Sequence, residues 1–187
     1  MSYLLILEVI SVIFNILFLV FFTKENKVCW IFGILGSLLG AFVMYKSNLF
    51  SETILYLFYA FVGIYAYLHW HNKSTDTFKI RKSSVLHVFI LVLSGFFIAA
   101  GLGFIMSKTK ADKPYFDAIS TVFGIIATFL EIYKHYIAWF FWIIINAYTV
   151  WLYQIKEINL FALQMVVYTI LSIRGLVLWN KKLKTGV

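Results

Sequence analysis

Hydrophobic positions along this chain come in long blocks, and polar positions either separate the blocks or recur inside them at steps of three and four. Seven blocks are long enough, or nearly so, to cross a hydrocarbon core of about 30 Å at a rise of about 1.5 Å per residue. They cover roughly residues 3–22, 29–45, 51–70, 85–106, 115–133, 137–154 and 159–179. The connections TKENK, KSN, KHY and IKE are short and polar, and the longest, HNKSTDTFKIRKSS, lies between the third and fourth blocks. Pro114 precedes the fifth block, where a helix tolerates it at its first position. The pattern predicts an all-α polytopic membrane protein with seven transmembrane helices.

The polar residues inside the blocks form stripes. The sixth block, WFFWIIINAYTVWLY, puts Trp139, Trp142, Asn146, Thr149 and Tyr153 on one helical face. The fifth carries Asp117, Thr121, Gly124, Thr128 and Glu131, and the seventh Gln164, Tyr168, Ser172, Gly175 and Trp179. In the first half the stripes are Glu8, Ser11 and Asn15, then Trp30, Gly33, Ser37 and Gly40, then Glu52, Tyr56, Tyr59, Gly63 and Trp70. Hydrocarbon does not welcome these faces, so they are expected to meet one another. Two readings stay open. One is a dry helix interface in which Asn146 bonds a neighbouring helix. The other is a binding site in which indoles and phenols stack on a flat ring while the amide bonds its edge.

Glu131 sharpens the choice. A carboxylate at the bilayer centre costs roughly 2.5–3.5 kcal/mol on insertion scales. Either it lies near the helix end and snorkels or pairs with Lys134, or it is a counter-charge for a cationic substrate. Arg174, inside the seventh block, is a further candidate partner for Glu131 or for a backbone carbonyl. His69, His71, His87 and His135 share no stripe with a second ligand, so no metal site is expected. A phosphate loop, a nucleophile elbow and an HExxH pair are all missing from the sequence, so no catalytic residue and no cofactor is expected.

Composition fits the blocks. The chain is 63% hydrophobic and 20% aromatic with a mean hydropathy of +0.90, against about 45–50% apolar in a soluble domain. The net charge of +8 then reads as basic loops on one side of a bilayer and not as a nucleic-acid surface. With seven spans, Lys24, Lys27, Lys73, Lys79, Arg81, Lys82, Lys134, Lys181, Lys182 and Lys184 fall on one side, ten in all. Lys46, Lys108, Lys110, Lys113 and Lys156, five in all, fall on the other. The bias puts the N-terminus outside and the C-terminus in the cytoplasm. The first block lacks a basic leader region and an A-x-A-like cleavage site and reads as a retained helix. Cys29, the single cysteine, cannot form an intramolecular disulfide.

The chain also repeats. With an offset of 109, residues 8–70 lie over 117–179 with ten identities in 63 pairs, and Trp30 meets Trp139, Tyr59 meets Tyr168 and Trp70 meets Trp179. The expected organisation is a three-helix repeat over 1–70, a basic cytoplasmic loop and linker helix over 71–114, and a second repeat with a basic tail over 115–187. An offset of four spans makes the two repeats parallel, related by an axis along the membrane normal.

Three features together resemble the PnuC family of bacterial vitamin transporters: the Cys-Trp-x-x-Gly run at Cys29, the Tyr-rich third helix ending in Trp70, and the Trp139-x-x-Trp142 pair followed by Asn146. The resemblance covers nearly the whole chain. It implies a seven-helix (3+1+3) fold like that of the SWEET sugar transporters, a homotrimer in the bacterial cytoplasmic (inner) membrane, and facilitated diffusion of a B-type vitamin trapped by a cytoplasmic kinase. Nicotinamide riboside is the first expected substrate and thiamine a close second. Nicotinamide riboside members tend to have Gln where this chain has Tyr56 and a Tyr-Gly pair where it has Arg174 and Gly175. The expected substrate-binding residues are Asn15, Trp30, Ser37, Tyr56, Tyr59, Thr128, Glu131, Trp139, Trp142, Asn146, Gln164 and Tyr168. A SWEET-like sugar carrier and a non-transporting membrane protein are the competing readings.

Overall fold

The computed structural model describes residues 3–46, 50–71, 79–108, 113–155 and 159–185. The connections at 47–49, 72–78, 109–112 and 156–158 and the side chain of Glu52 lie outside the described residues. Seven helices follow in order: α1 (Tyr3–Thr23), α2 (Cys29–Lys46), α3 (Phe50–His71), α4 (Val85–Ser107), α5 (Pro114–Ile132), α6 (Ala138–Ile155) and α7 (Asn159–Thr185). All seven are long and apolar enough to cross a membrane. Their limits follow the apolar blocks closely, except that α7 runs on past the apolar stretch through Lys181, Lys182 and Lys184. Those lysines suit a helix C-terminus, where exposed carbonyls carry partial negative charge.

The helices group into two compact units, residues 1–78 and 79–187. In the first, α2 packs against both α1 and α3. Helices in lipid gain little from burying apolar surface, so close approach and interhelical hydrogen bonds must hold them. Here α2 offers Gly33, Gly36 and Gly40, and α1 answers in antiparallel register. Phe18 lies over Gly33, where a Cβ would come within 2.9 Å of its ring, Asn15 lies over Gly36, and Ser11 lies over Gly40. The Ser11 hydroxyl also donates to the Gly36 carbonyl at 2.8 Å.

In the second unit α6 packs against α5 and α7, and α4 packs against α5. The bulk is traded between partners. At an offset of 109, Phe18 becomes Ala127 and Gly33 becomes Trp142, while Asn15 becomes Gly124 and Gly36 becomes Ile145. Small residues thus sit on α5 and large ones on α6. Trp142 fills in against a cluster of Phe123, Ala127, Leu130, Ala138, Phe141 and Ile145.

The two turns that lead into α2 and α6 share most of their backbone hydrogen bonds. Glu25 and Lys134, 109 residues apart, both take left-handed backbone, with φ of 56° and 55°. Asn26 N–H reaches Phe21 O at 3.1 Å, and His135 N–H reaches Leu130 O at 2.8 Å. Glu25 N–H bonds Phe22 O as Lys134 N–H bonds Glu131 O, and Trp30 N–H bonds Lys27 O as Trp139 N–H bonds Tyr136 O. Each unit then carries one edge-to-face indole pair, Trp30 with Trp70 at 5.6 Å and 85° and Trp139 with Trp179 at 5.4 Å and 89°.

Candidate functional site

In the first unit, Trp30 is enclosed by Phe18, Phe22 and Trp70, and its indole N–H has no partner among the described residues. Asn15 and Ser37 are buried, and Tyr56 is buried against Gly40. Tyr59 is half-buried, tilted against Phe58 at 5.9 Å. These five candidates share one unit. The remaining seven share the other.

Within the second unit the polar stripes of α5, α6 and α7 turn inward, and Thr128, Glu131, Asn146, Thr149, Gln164 and Ser172 are all buried. Several use up their groups locally. Thr128 donates to the Gly124 carbonyl at 2.8 Å and Thr149 to the Ile145 carbonyl at 2.8 Å, each within its own helix. Asn146 reaches across to α7, its amide donating to the Ser172 hydroxyl at 3.4 Å. That bond is long, well beyond the usual N–H···O separation of about 2.9–3.0 Å. Ser172 was visible in the sequence as a stripe residue, yet only the structure makes it the partner of the amide.

Trp139 is wholly enclosed. Its ring lies over Gly175, where any Cβ would collide with it, and meets the Trp179 edge. Trp142, one turn on, is only partly buried, and its indole N–H donates to Glu131 Oε2 at 3.0 Å. The other carboxylate oxygen, Oε1, has no hydrogen-bond partner among the described residues, and neither has the side-chain oxygen of buried Gln164 on α7. Arg174 is exposed, and Lys134 N–H bonds the Glu131 carbonyl at 3.0 Å. Tyr168 is half-buried on α7.

An unmatched buried acceptor costs about 1–3 kcal/mol, and more if charged. The open Glu131 oxygen, with an indole already oriented on its neighbour, makes a place that favours a hydrogen-bond donor or a cation. Beside this lies a group that the stripes did not reveal. Ser83, His87 and His135 come together at the start of α4 and the turn into α6, with Ser83 Oγ and His135 Nδ1 2.8 Å apart. The signal that could have found it is the 109 offset, which sets His135 against Asn26.

The seven membrane-length helices among the described residues define a polytopic membrane protein. Residues 5–181 match the nicotinamide mononucleotide transporter family, and the chain belongs to it. One relative is the nicotinamide riboside transporter PnuC of Escherichia coli K12, 21% identical over 201 residues that span 92% of this chain and 84% of that one. A second is the nicotinamide riboside transporter PnuC of Neisseria mucosa, 24% identical over 189 residues, 94% of this chain and 72% of that one. The crystal structure of the vitamin B3 transporter PnuC has the same fold, with a TM-score of 0.82 at 23% identity over 96% of this chain and 82% of that one. These relatives are transporters and not enzymes.

Proposed function

We propose that this protein carries nicotinamide riboside across the bacterial cytoplasmic membrane by facilitated diffusion, with trapping by a cytoplasmic kinase. The observation that carries the reading is the buried Glu131 carboxylate, oriented by Trp142 and left with one oxygen open to a donor or a cation. A pyridinium riboside is a flat cation with hydroxyl donors. Its ring suits an aromatic face, where a desolvated cation–π contact is worth about 2 kcal/mol, and its charge suits Glu131. Relatives named as nicotinamide riboside transporters support the same substrate.

Trp142, Glu131, Asn146, Gln164, Tyr168 and Thr128 are the proposed substrate contacts in the second unit; Asn15, Ser37, Tyr56 and Tyr59 are candidates in the first unit taken by itself. Trp139 and Trp30 are proposed as the rigid rings on which these contacts are built. The protein works as a homotrimer, with repeats over 1–70 and 115–187 and the linker at 71–114. The duplicated turns at Glu25 and Lys134 support the repeat.

Thiamine is the second reading. The open Glu131 oxygen also suits an aminopyrimidine edge, and Tyr56 stands where nicotinamide riboside members tend to have Gln. Thermal stabilisation of purified protein by nicotinamide riboside, thiamine and glucose separates the substrates. Counterflow in proteoliposomes without ATP or an ion gradient then tests facilitated diffusion. No exchange of labelled nicotinamide riboside or thiamine would overturn the proposal.

A further inference from the structure

The two matching turns are held in different ways. In the first unit the turn holds itself, because Asn26 Oδ1 accepts the Val28 N–H at 3.0 Å. The second unit has His135 at the matching position, and its side chain turns outward to Ser83. There the segment before α4 lies along the turn. Arg81 N–H donates to Lys134 O at 2.9 Å, Tyr136 N–H donates to Arg81 O at 3.0 Å, and the His87 ring stacks on His135 at 6.2 Å and 16°. This clip grips the chain midway between Glu131, whose carbonyl closes the turn, and Trp139, whose N–H opens α6.

We propose that His135 is a positioning residue: uncharged, it clips Lys79–Ser84 onto the α5–α6 turn and so sets the alignment of Trp142 on Glu131, and protonation opens the clip. The alignment matters because one rigid turn joins the two helices that carry the pair. Protonation opposes the clip because an imidazolium at this position faces the Arg81 guanidinium and a second imidazole. The charged and titratable groups around His135 are Arg81 on the clip segment, His87 on α4, and Lys134 and Tyr136 on its own turn. Lys82 in the clip segment is exposed, and the Glu131 carboxylate on α5 is turned to Trp142. The functional weight of the clip rests on the reading of Trp142 and Glu131 given above.

The test uses the full chain in detergent or nanodiscs without any ligand. Backbone hydrogen exchange at Arg81 and Tyr136 reads the clip, corrected for the intrinsic pH dependence of exchange. The Trp142 indole N–H resonance, assigned by its loss in Trp142→Phe, reads the pair. Wild type should lose protection as pH falls from 7.5 to 5.5, by at most roughly tenfold per pH unit for one proton, and the indole resonance should move over the same range. His135→Asn supplies the self-holding residue of the first turn and should make both readouts flat with pH, while Ser83→Ala should lower protection at every pH. Protection that ignores pH in wild type, or that still follows it in His135→Asn, overturns the clip. A clip that opens while the Trp142 resonance stays fixed overturns the positioning role. Neither readout needs a substrate, so failure of the vitamin reading appears separately, as no exchange in the counterflow assay.

Discussion

Trp142 holds one oxygen of Glu131 from 3.0 Å while the other oxygen faces no partner among the described residues. The 109 offset puts Gly33 and Phe22 at these two positions in the first unit. Phe22 is buried there between Trp30 and Trp70. The same helix–turn–helix frame thus carries an apolar plug in one unit and a half-satisfied carboxylate in the other.

Glu131→Gln should keep the shape and remove the charge. A hydrogen bond to a charged group is worth about 1.5–3 kcal/mol, so affinity for nicotinamide riboside should fall roughly 10- to 150-fold. A neutral analogue should lose much less. Calorimetry with both ligands checks this, and equal losses would point to a folding defect instead.

Asn146→Leu should abolish uptake while the protein still inserts. The amide's bond to Ser172 is long, which suits a group that can turn to a ligand. Uptake near wild type with normal membrane abundance would leave Asn146 a packing residue.

Gly175→Ala should destabilise, because its methyl would occupy the Trp139 ring. Overpacking of this kind costs about 1–3 kcal/mol. Gly101→Ala on α4 adds a methyl where nothing lies within 4 Å and should be neutral or slightly stabilising. Thermal aggregation of the two variants in the same detergent is the comparison, and a Gly175→Ala midpoint at or above that of Gly101→Ala would contradict it.

Burial, then the Arg81 guanidinium, then His87, push the His135 proton affinity below the ordinary histidine value. The unfolded chain therefore binds the proton more readily than the folded one. Stability should be fully present above the unfolded value, about 6.5, and should decline as pH falls below it. Chemical unfolding at pH 7.5 and pH 5.5 reads the difference, which should shrink in His135→Asn.

The excess of Lys and Arg on one set of loops predicts an N-terminus outside and a C-terminus in the cytoplasm. A C-terminal fluorescent reporter that folds only in the cytoplasm should be bright. One active only in the periplasm would reverse the orientation.

Much of the fold was legible because its cause is local. A helix must be long and apolar enough to cross hydrocarbon, so Tyr3–Thr23 and Pro114–Ile132 could be read within a residue or two from composition alone. The 109 offset was legible too, since Trp30 and Trp139 sit at the same distance from Trp70 and Trp179 along the chain. The stripes named the inward-facing residues correctly for Thr128, Glu131, Asn146 and Gln164, all of which are buried.

By itself, then, the sequence determined the seven membrane-length helices, the polar faces they turn away from lipid and the resemblance to a transporter family. The tertiary structure alone decided which polar atoms are spent and which are left. Nothing in the stripe separates Trp139 from Trp142, yet one is sealed over Gly175 and the other is free to orient Glu131. Nothing in the loop marks Ser83 as the partner of His135, 52 residues away. Length and hydrophobicity act on each segment separately, so the chain states them directly. Hydrogen-bond partnership depends on how far each helix is rotated against the next, and many side chains from distant positions fix that rotation together.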